Sequence, residues 1–345
     1  MSLAAALRDA GSPNPQSRNV AVRNLAQGVL DELHRRSPSW RAAKDHPRGE
    51  EVLAALRRAL GEEEDAPNRG LAVVGLAQLG EAEAFDYAEL WVDADDPEPT
   101  GDERTDEGRQ AAISFLRECA IISLGLLGDA APNEGPEGEV GRALTARCRE
   151  RLRAALTSRH ADVRFQAPVS LAELGGEETQ AEILEAMRAE TKPEVLGNQI
   201  AALSMLDEPT AEVRSVLREF LHGPHAATQA GFEAALLLTG ARDPAGGPRL
   251  VEALDAGAHR DRALEALAVL ASAAPAEAAP AVRKIARRWL TPAVTRVRAA
   301  YALARIAPKE GEALLRRFSR SLRPGMRQAV HEARSALEEL ARTEG

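Results

Sequence analysis

An apolar stretch closing on Leu-x-x-Leu-Gly recurs along the chain, and this self-similarity limits the fold more than any local pattern does. Its clearest copies are Leu76-Ala77-Gln78-Leu79-Gly80, Leu124-Gly125-Leu126-Leu127-Gly128 and Leu171-Ala172-Glu173-Leu174-Gly175. Degenerate copies end at Leu206-Asp207, Thr239-Gly240, Leu270-Ala271, Ile306-Ala307 and Leu340-Ala341. The final apolar positions (79, 127, 174, 206, 239, 270, 306 and 340) are spaced by 48, 47, 32, 33, 31, 36 and 34 residues. Five of these seven spacings fit one helix pair. Within a copy the period is helical, because Val163, Ala167, Leu171 and Leu174 share one face. The small Ala167 lets a neighbouring helix come close, and Gly175 can take the left-handed conformation that stops the helix. The preceding helix of each pair is also amphipathic, as in Glu212 to Leu221. One pair cannot bury both apolar faces, so the units must stack.

Composition agrees with helix. The chain has 68 Ala among 345 residues and only 3% aromatics, so an all-β fold is excluded. With 44% hydrophobic and 28% charged residues it reads as globular.

The phrase Asp162-Val163-Arg164-x-x-Ala167-x-x-x-Leu171-x-x-Leu174-Gly175 resembles the second helix of a HEAT-type repeat. It is of the short bacterial HEAT-like kind also found in PBS-lyase-type HEAT proteins. By pattern the resemblance runs from Pro67 to Arg342. It implies an all-α fold, a right-handed α-solenoid of about eight stacked helix pairs whose second helices line a concave, commonly binding, surface. A helical cap would occupy residues 1–60 and the repeat array residues 61–345. The resemblance carries no activity with it, because HEAT-like arrays include scaffolds, transport factors, bilin lyases and DNA glycosylases.

Two spacings exceed the rest, and the sequence shows where the extra residues lie. Asp93 to Glu107 is acidic and holds no large apolar side chain, so it is expected to be a mobile loop that folding does not need. Residues 129–138 are rich in Pro and Gly and read as a second loop. Upstream, helices are expected over Ser17 to Arg36 and Glu50 to Leu60, joined by a turn-rich connector with Pro38 and Pro47.

The net charge of -9 hides an asymmetry. Residues 281–345 hold 15 Lys+Arg and 6 Asp+Glu, a net of +9, which leaves -18 on the remainder. Between Glu81 and Glu107, 12 carboxylates face the single Arg104. Such polarity can guide an encounter with a partner or a second copy. The N-terminus lacks the pattern of a signal peptide, and the apolar run Cys119 to Leu127 is too short to span a bilayer. Two cysteines make no disulfide framework. The expected location is the cytoplasm, and the Arg and Ala bias suits a GC-rich bacterial genome.

Aligned copies expose a column of arginines. The position of Arg164 is filled by Arg69, Arg117, Arg260 and Arg296, whereas the position of Asp162 is acidic only there and at Glu194. In HEAT arrays a carboxylate and an arginine of successive repeats often form a ladder. Five arginines and two carboxylates do not balance, so guanidiniums are expected to remain for an acidic segment of a protein partner. The candidate partner-binding residues are these five with Arg298, Tyr301 and Arg305.

No cofactor or metal is expected. His222 and His225 lie in a Gly-Pro turn without a third ligand, and His331-Glu332 is a single pair where deoxyhypusine hydroxylases carry several. Asp93-Ala94-Asp95-Asp96 lacks the glycine and distal glutamate of a calcium loop, and neither cysteine has a catalytic signature. The expected function is a non-enzymatic protein-interaction scaffold. The alternative is a nucleic-acid-associated HEAT-like protein using the basic C-terminal residues Arg283, Lys284, Arg287, Arg288, Arg316, Arg317, Arg320, Arg323 and Arg327. Few aromatics are available there to stack on bases. A bilin-lyase-like HEAT enzyme is a third reading.

Overall fold

A computed structural model describes residues 1–61, 65–321 and 324–343. Among these residues the chain is all-α, with 18 α-helices and no strand, in two compact units, Met1–Thr191 and Lys192–Gly345. Arg323 lies outside the described residues.

The first unit contains α1 (Leu3–Asp9), α2 (Pro15–Glu32), α3 (Gly49–Leu60), α4 (Ala66–Gln78), α5 (Ala84–Val92), α6 (Glu103–Ala130), α7 (Gly138–Ala155), α8 (Ala161–Leu174) and α9 (Thr179–Ala189). Here α1 packs on α2, α3 on α4, α5 on α6 and α7 on α8, while α2, α4, α6 and α8 pack on one another in succession. The second unit contains α10 (Pro193–Leu203), α11 (Ala211–Phe220), α12 (Gln229–Gly240), α13 (Gly247–Ala253), α14 (Arg260–Leu270), α15 (Ala278–Arg287), α16 (Ala293–Ile306), α17 (Pro308–Ser319) and α18 (Pro324–Thr343). The same rule holds, with α10, α12, α14, α16 and α18 in succession and an odd-numbered helix beside each from α12 onward. The final apolar positions of the eight recurring phrases all lie at, or within three residues of, the ends of α4 to α18 in even steps.

Local chemistry sets the helix ends. The Asn14 side chain accepts from the Gln16 amide at 2.9 Å ahead of Pro15, and Asp65 accepts from the Asn68 amide at 3.1 Å. Gly175 stops α8 with a φ of 66° and a ψ of -156°, a positive-φ conformation open to glycine but outside the left-handed helical region expected of it. Helix α1 was not expected; Ser2 caps it, and Leu3 packs against Gly28 of α2.

The acidic segment differs from the loop expected of it, since Glu103 to Glu107 form the start of α6. Carboxylates are favoured at a helix N-terminus, and Asp106 accepts from the Thr100 amide and hydroxyl, both at 2.7 Å. Helix α6 also runs unbroken through Ser123 and Gly125. The Ser123 hydroxyl donates to the Cys119 carbonyl at 2.7 Å. At Gly125 a Cβ would stand 2.9 Å from that of Ser170, so the glycine permits close packing on α8. Of the described helices, α6 alone is long and apolar enough to cross a membrane by length and composition, and 56% of that window is buried in the protein.

Leu56, Leu76, Leu124, Leu152 and Leu171 are fully buried in the first unit, as are Phe232, Leu250, Leu267 and Leu303 in the second. One glycine makes the packing testable. A Cβ on Gly311 would sit 2.1 Å from the Ala304 amide nitrogen, which is backbone and cannot swing aside. Gly311→Ala is therefore expected to destabilise the second unit by about 1–3 kcal/mol in urea unfolding, and an unchanged midpoint would refute the close α16–α17 approach.

Candidate functional site

The arginines of the column are engaged, mostly by acceptors that leave no mark in the sequence. Arg164 donates from Nε and Nη2 to the two carboxylate oxygens of Glu190, at 2.7 and 3.2 Å, and from Nη1 to the Ser158 carbonyl at 2.8 Å. Arg260 donates to the Leu254 carbonyl at 2.8 Å. Arg296 donates to the Ala286 carbonyl at 3.1 Å and lies over the Phe318 ring. Arg69 lies over the Trp91 ring. Arg305 donates to the Ala268 carbonyl at 3.4 Å, and Tyr301 is half-buried against the core of the second unit.

A shared geometry explains part of the column. Arg18, Arg164 and Arg260 each reach back six residues, to the carbonyls of Ser12, Ser158 and Leu254, and Arg214 reaches back five, to Pro209. Each stands in the first turn of a helix, where the macrodipole disfavours a cation. Bending back to an open carbonyl of the preceding connector moves the charge off that end and satisfies an acceptor. The arginines therefore latch a helix to the chain leading into it.

Carboxylates form rungs between successive even-numbered helices. Arg117 of α6 donates to Asp162 of α8 at 3.3 Å, and Arg18 of α2 to Asp65 at the cap of α4 at 2.9 Å. Arg262 of α14 grips Glu233 of α12 with two 2.8 Å bonds, and Arg298 of α16 meets Asp261 of α14 at 2.7 Å. The row carrying Arg262 and Arg298 lies two residues beyond the column and was not aligned in the sequence.

Arg117 has a further task. Its side chain is only 1% exposed, so it offers no surface to a partner, in contrast to its expected role. Nε donates to the Ala94 carbonyl at 3.0 Å and Nη2 to Asp96 at 2.7 Å. Arg151 pairs with Asp93, and Arg159 with Asp95. The acidic connector is thus clasped by three arginines, one each from α6, α7 and the turn before α8. The Gln110 amide and Arg117 hold the Asp96 carboxyl below its ordinary value. Burial, with Arg117 nearby, holds His160 below its own, and Arg159 Nε donates to His160 Nε2 at 3.0 Å, which fixes the neutral ring.

Other reactive side chains are quiet. Burial pushes the thiols of Cys119 and Cys148 up to about 12, so neither is a thiolate at neutral pH. Among the described residues no group of three or more His, Cys, Asp or Glu side chains is placed to hold a metal ion. His225 stacks on Phe220.

In the second unit α13 and α15 flank an open groove of about 490 Å³. Val251, Leu254, Ala281 and Ile285 supply apolar surface, Glu252 and Asp255 border it from the α13 side, and Glu277, Lys284 and Arg288 border it from the α15 side. Trp289 and Leu290 follow directly and are 71% and 69% exposed. Trp91 is buried and Trp40 half-buried, so Trp289 is the tryptophan that the fold leaves outside. Comparison of the chain with protein-family models and with curated protein sequences gives no match.

Proposed function

We propose that the chain is a HEAT-like repeat protein that acts as a non-enzymatic scaffold for a protein partner bearing an acidic segment. In this reading the helix pairs form a right-handed α-solenoid of about eight repeats behind a cap at residues 1–60. The observation that carries it is the succession of even-numbered helices within each unit, joined by arginine–carboxylate rungs such as Arg117–Asp162 and Arg298–Asp261. A stack built by repetition gains exposed surface with each unit while its core stays thin, which suits docking better than enclosing a reaction. The buried, protonated cysteines support the same reading.

The test is affinity purification of the full tagged chain from its own cell. A protein is expected to co-purify in fixed ratio and to dissociate as salt rises. Recovery of the chain alone at low salt, after cross-linking, would sink the scaffold reading.

A further inference from the structure

Three large apolar side chains stand in water where α15 turns into α16. Trp289 and Leu290 occupy the turn, and Val294, in the first turn of α16, is 48% exposed. The backbone that presents them is held in place. Thr291 is buried and its amide donates to the Arg288 carbonyl at 3.1 Å, while Arg296 Nε donates to the Ala286 carbonyl at 3.1 Å. The tip is thus fixed outward, and contact with a partner surface costs it little ordering.

The edge that carries the tip is positive. Arg296 lies over the Phe318 ring as well as bonding to Ala286, which brings the C-terminal ends of α15 and α17 to one edge of the second unit. From these ends Arg288, Arg317 and Arg320 are exposed, and none makes an ion pair among the described residues. The carboxylates nearby are mostly spent or distant. Glu310 is shared by Arg283 and Arg287, and Glu252 pairs with Arg249. Glu277 precedes the other end of α15. That leaves Asp255 of the adjoining groove to set against three arginines. Helix C-termini favour cations, which accounts for the arginines but not for the apolar tip among them.

An indole and two aliphatic side chains beside unpaired arginines suit the surface of an anionic bilayer. Tryptophan settles at the headgroup level, aliphatic groups are buried at the acyl boundary, and cations are drawn to the negative surface. Such a surface needs no pocket to receive a protruding tip. A single-stranded nucleic acid can stack on Trp289 but offers nothing to Leu290 and Val294.

We propose that this tip docks the chain peripherally on an anionic lipid surface. Trp289 and Leu290 enter the interface, Val294 lies at its border, and Arg288, Arg317 and Arg320 meet the lipid phosphates. The contact goes beyond the scaffold reading and does not depend on it.

The experiment sediments the purified full chain with vesicles of phosphatidylcholine alone, and with vesicles of equal parts phosphatidylcholine and phosphatidylglycerol. The chain is expected to sediment with the anionic vesicles, less so as salt rises, and to stay in solution with the neutral ones. Trp289→Ser combined with Leu290→Ser should lower the affinity about tenfold or more, by removing the inserted groups. Arg288→Glu combined with Arg320→Glu should lower it by about as much. Val140→Ser, at a position 58% exposed in the first unit, should leave it unchanged. All five positions are exposed, so helicity should be kept. Absence of the unaltered chain from the anionic pellet at low salt overturns the proposal without reliance on any variant. Equal sedimentation with neutral vesicles overturns it, as does binding that either double variant leaves intact. A labelled single-stranded oligonucleotide that binds through Trp289 where vesicles do not assigns the edge to nucleic acid instead. Vesicle binding without a co-purifying protein removes the scaffold reading alone, and a co-purifying protein without vesicle binding removes this proposal alone.

Discussion

Arg117→Ala is expected to lower the stability of the first unit by about 3–5 kcal/mol, the cost of breaking a buried ion pair from one side. The guanidinium is 1% exposed and serves three acceptors, the Ala94 carbonyl, Asp96 and Asp162. Its loss leaves the carbonyl and a largely buried Asp162 without their donor and opens a cavity under the acidic connector. Arg117→Lys should recover less than half of the loss, because one ammonium cannot reach acceptors on the connector and on α8 together. Excising residues 94–101 should also lower stability from the other side, by removing two of the buried cation's three acceptors. This reverses the expectation that the acidic segment is dispensable. A change below about 1 kcal/mol in urea unfolding of Arg117→Ala would show that the clasp is ornamental.

The same clasp gives the first unit a signed response to acid. Asp96 has its folded value below its unfolded one, so its contribution is complete above about pH 4 and is lost as pH falls through the folded value. His160 is also depressed, so the folded chain resists its protonation, and stability begins to decline as pH drops below about 6.5. The groups facing His160 are Arg117, Asp96, Arg159 and Asp162, and the two arginines oppose its charge. Urea midpoints should therefore be flat near neutrality and fall with acid, and His160→Gln should remove the upper part of that decline. A midpoint that rises between pH 6.5 and 5 would contradict the assignment of His160 as neutral.

How much of this was legible in the sequence depends on what each feature is made of. The Leu-x-x-Leu-Gly phrases mark helix ends because apolar spacing and a positive-φ glycine are written in residue identity, as at Leu171, Leu174 and Gly175. The column was legible as a pattern and opaque as a role. Backbone carbonyls such as those of Ser158, Leu254 and Ala286 have no sequence signature, so the arginines looked unbalanced when only carboxylates were counted. Glu190 escaped notice because it closes α9, outside the register that was aligned. The acidic connector looked idle for a related reason, since nothing in Asp93 to Asp96 reveals three arginines from α6, α7 and the turn before α8. Nothing in the residues around Trp289 and Leu290 marks them as exposed, and only the fold leaves them in solvent.

Arg164→Ala should cost the first unit about 3–5 kcal/mol, and it separates the two roles open to the column. Glu190 is 2% exposed and takes two bonds from this guanidinium, so removing Arg164 alone withdraws two charge-assisted bonds from a buried carboxylate. The Ser158 carbonyl loses its latch as well. Removing both charges, as Arg164→Met with Glu190→Leu, should restore most of the stability, because the pair's attraction is largely offset by the desolvation of its members. The coupling in that double-mutant cycle is therefore expected to be large while the net worth of the pair is small. Partner affinity supplies the second axis. If the column latches helices to their connectors, the folded double variant should keep the affinity and salt dependence of the unaltered chain for the protein that co-purifies with it. If Arg164 instead meets the partner's carboxylates, the double variant should be stable and bind weakly, with a shallower salt slope. Unfolding and titration on the same preparations decide between the two, because each role moves one measurement and leaves the other in place.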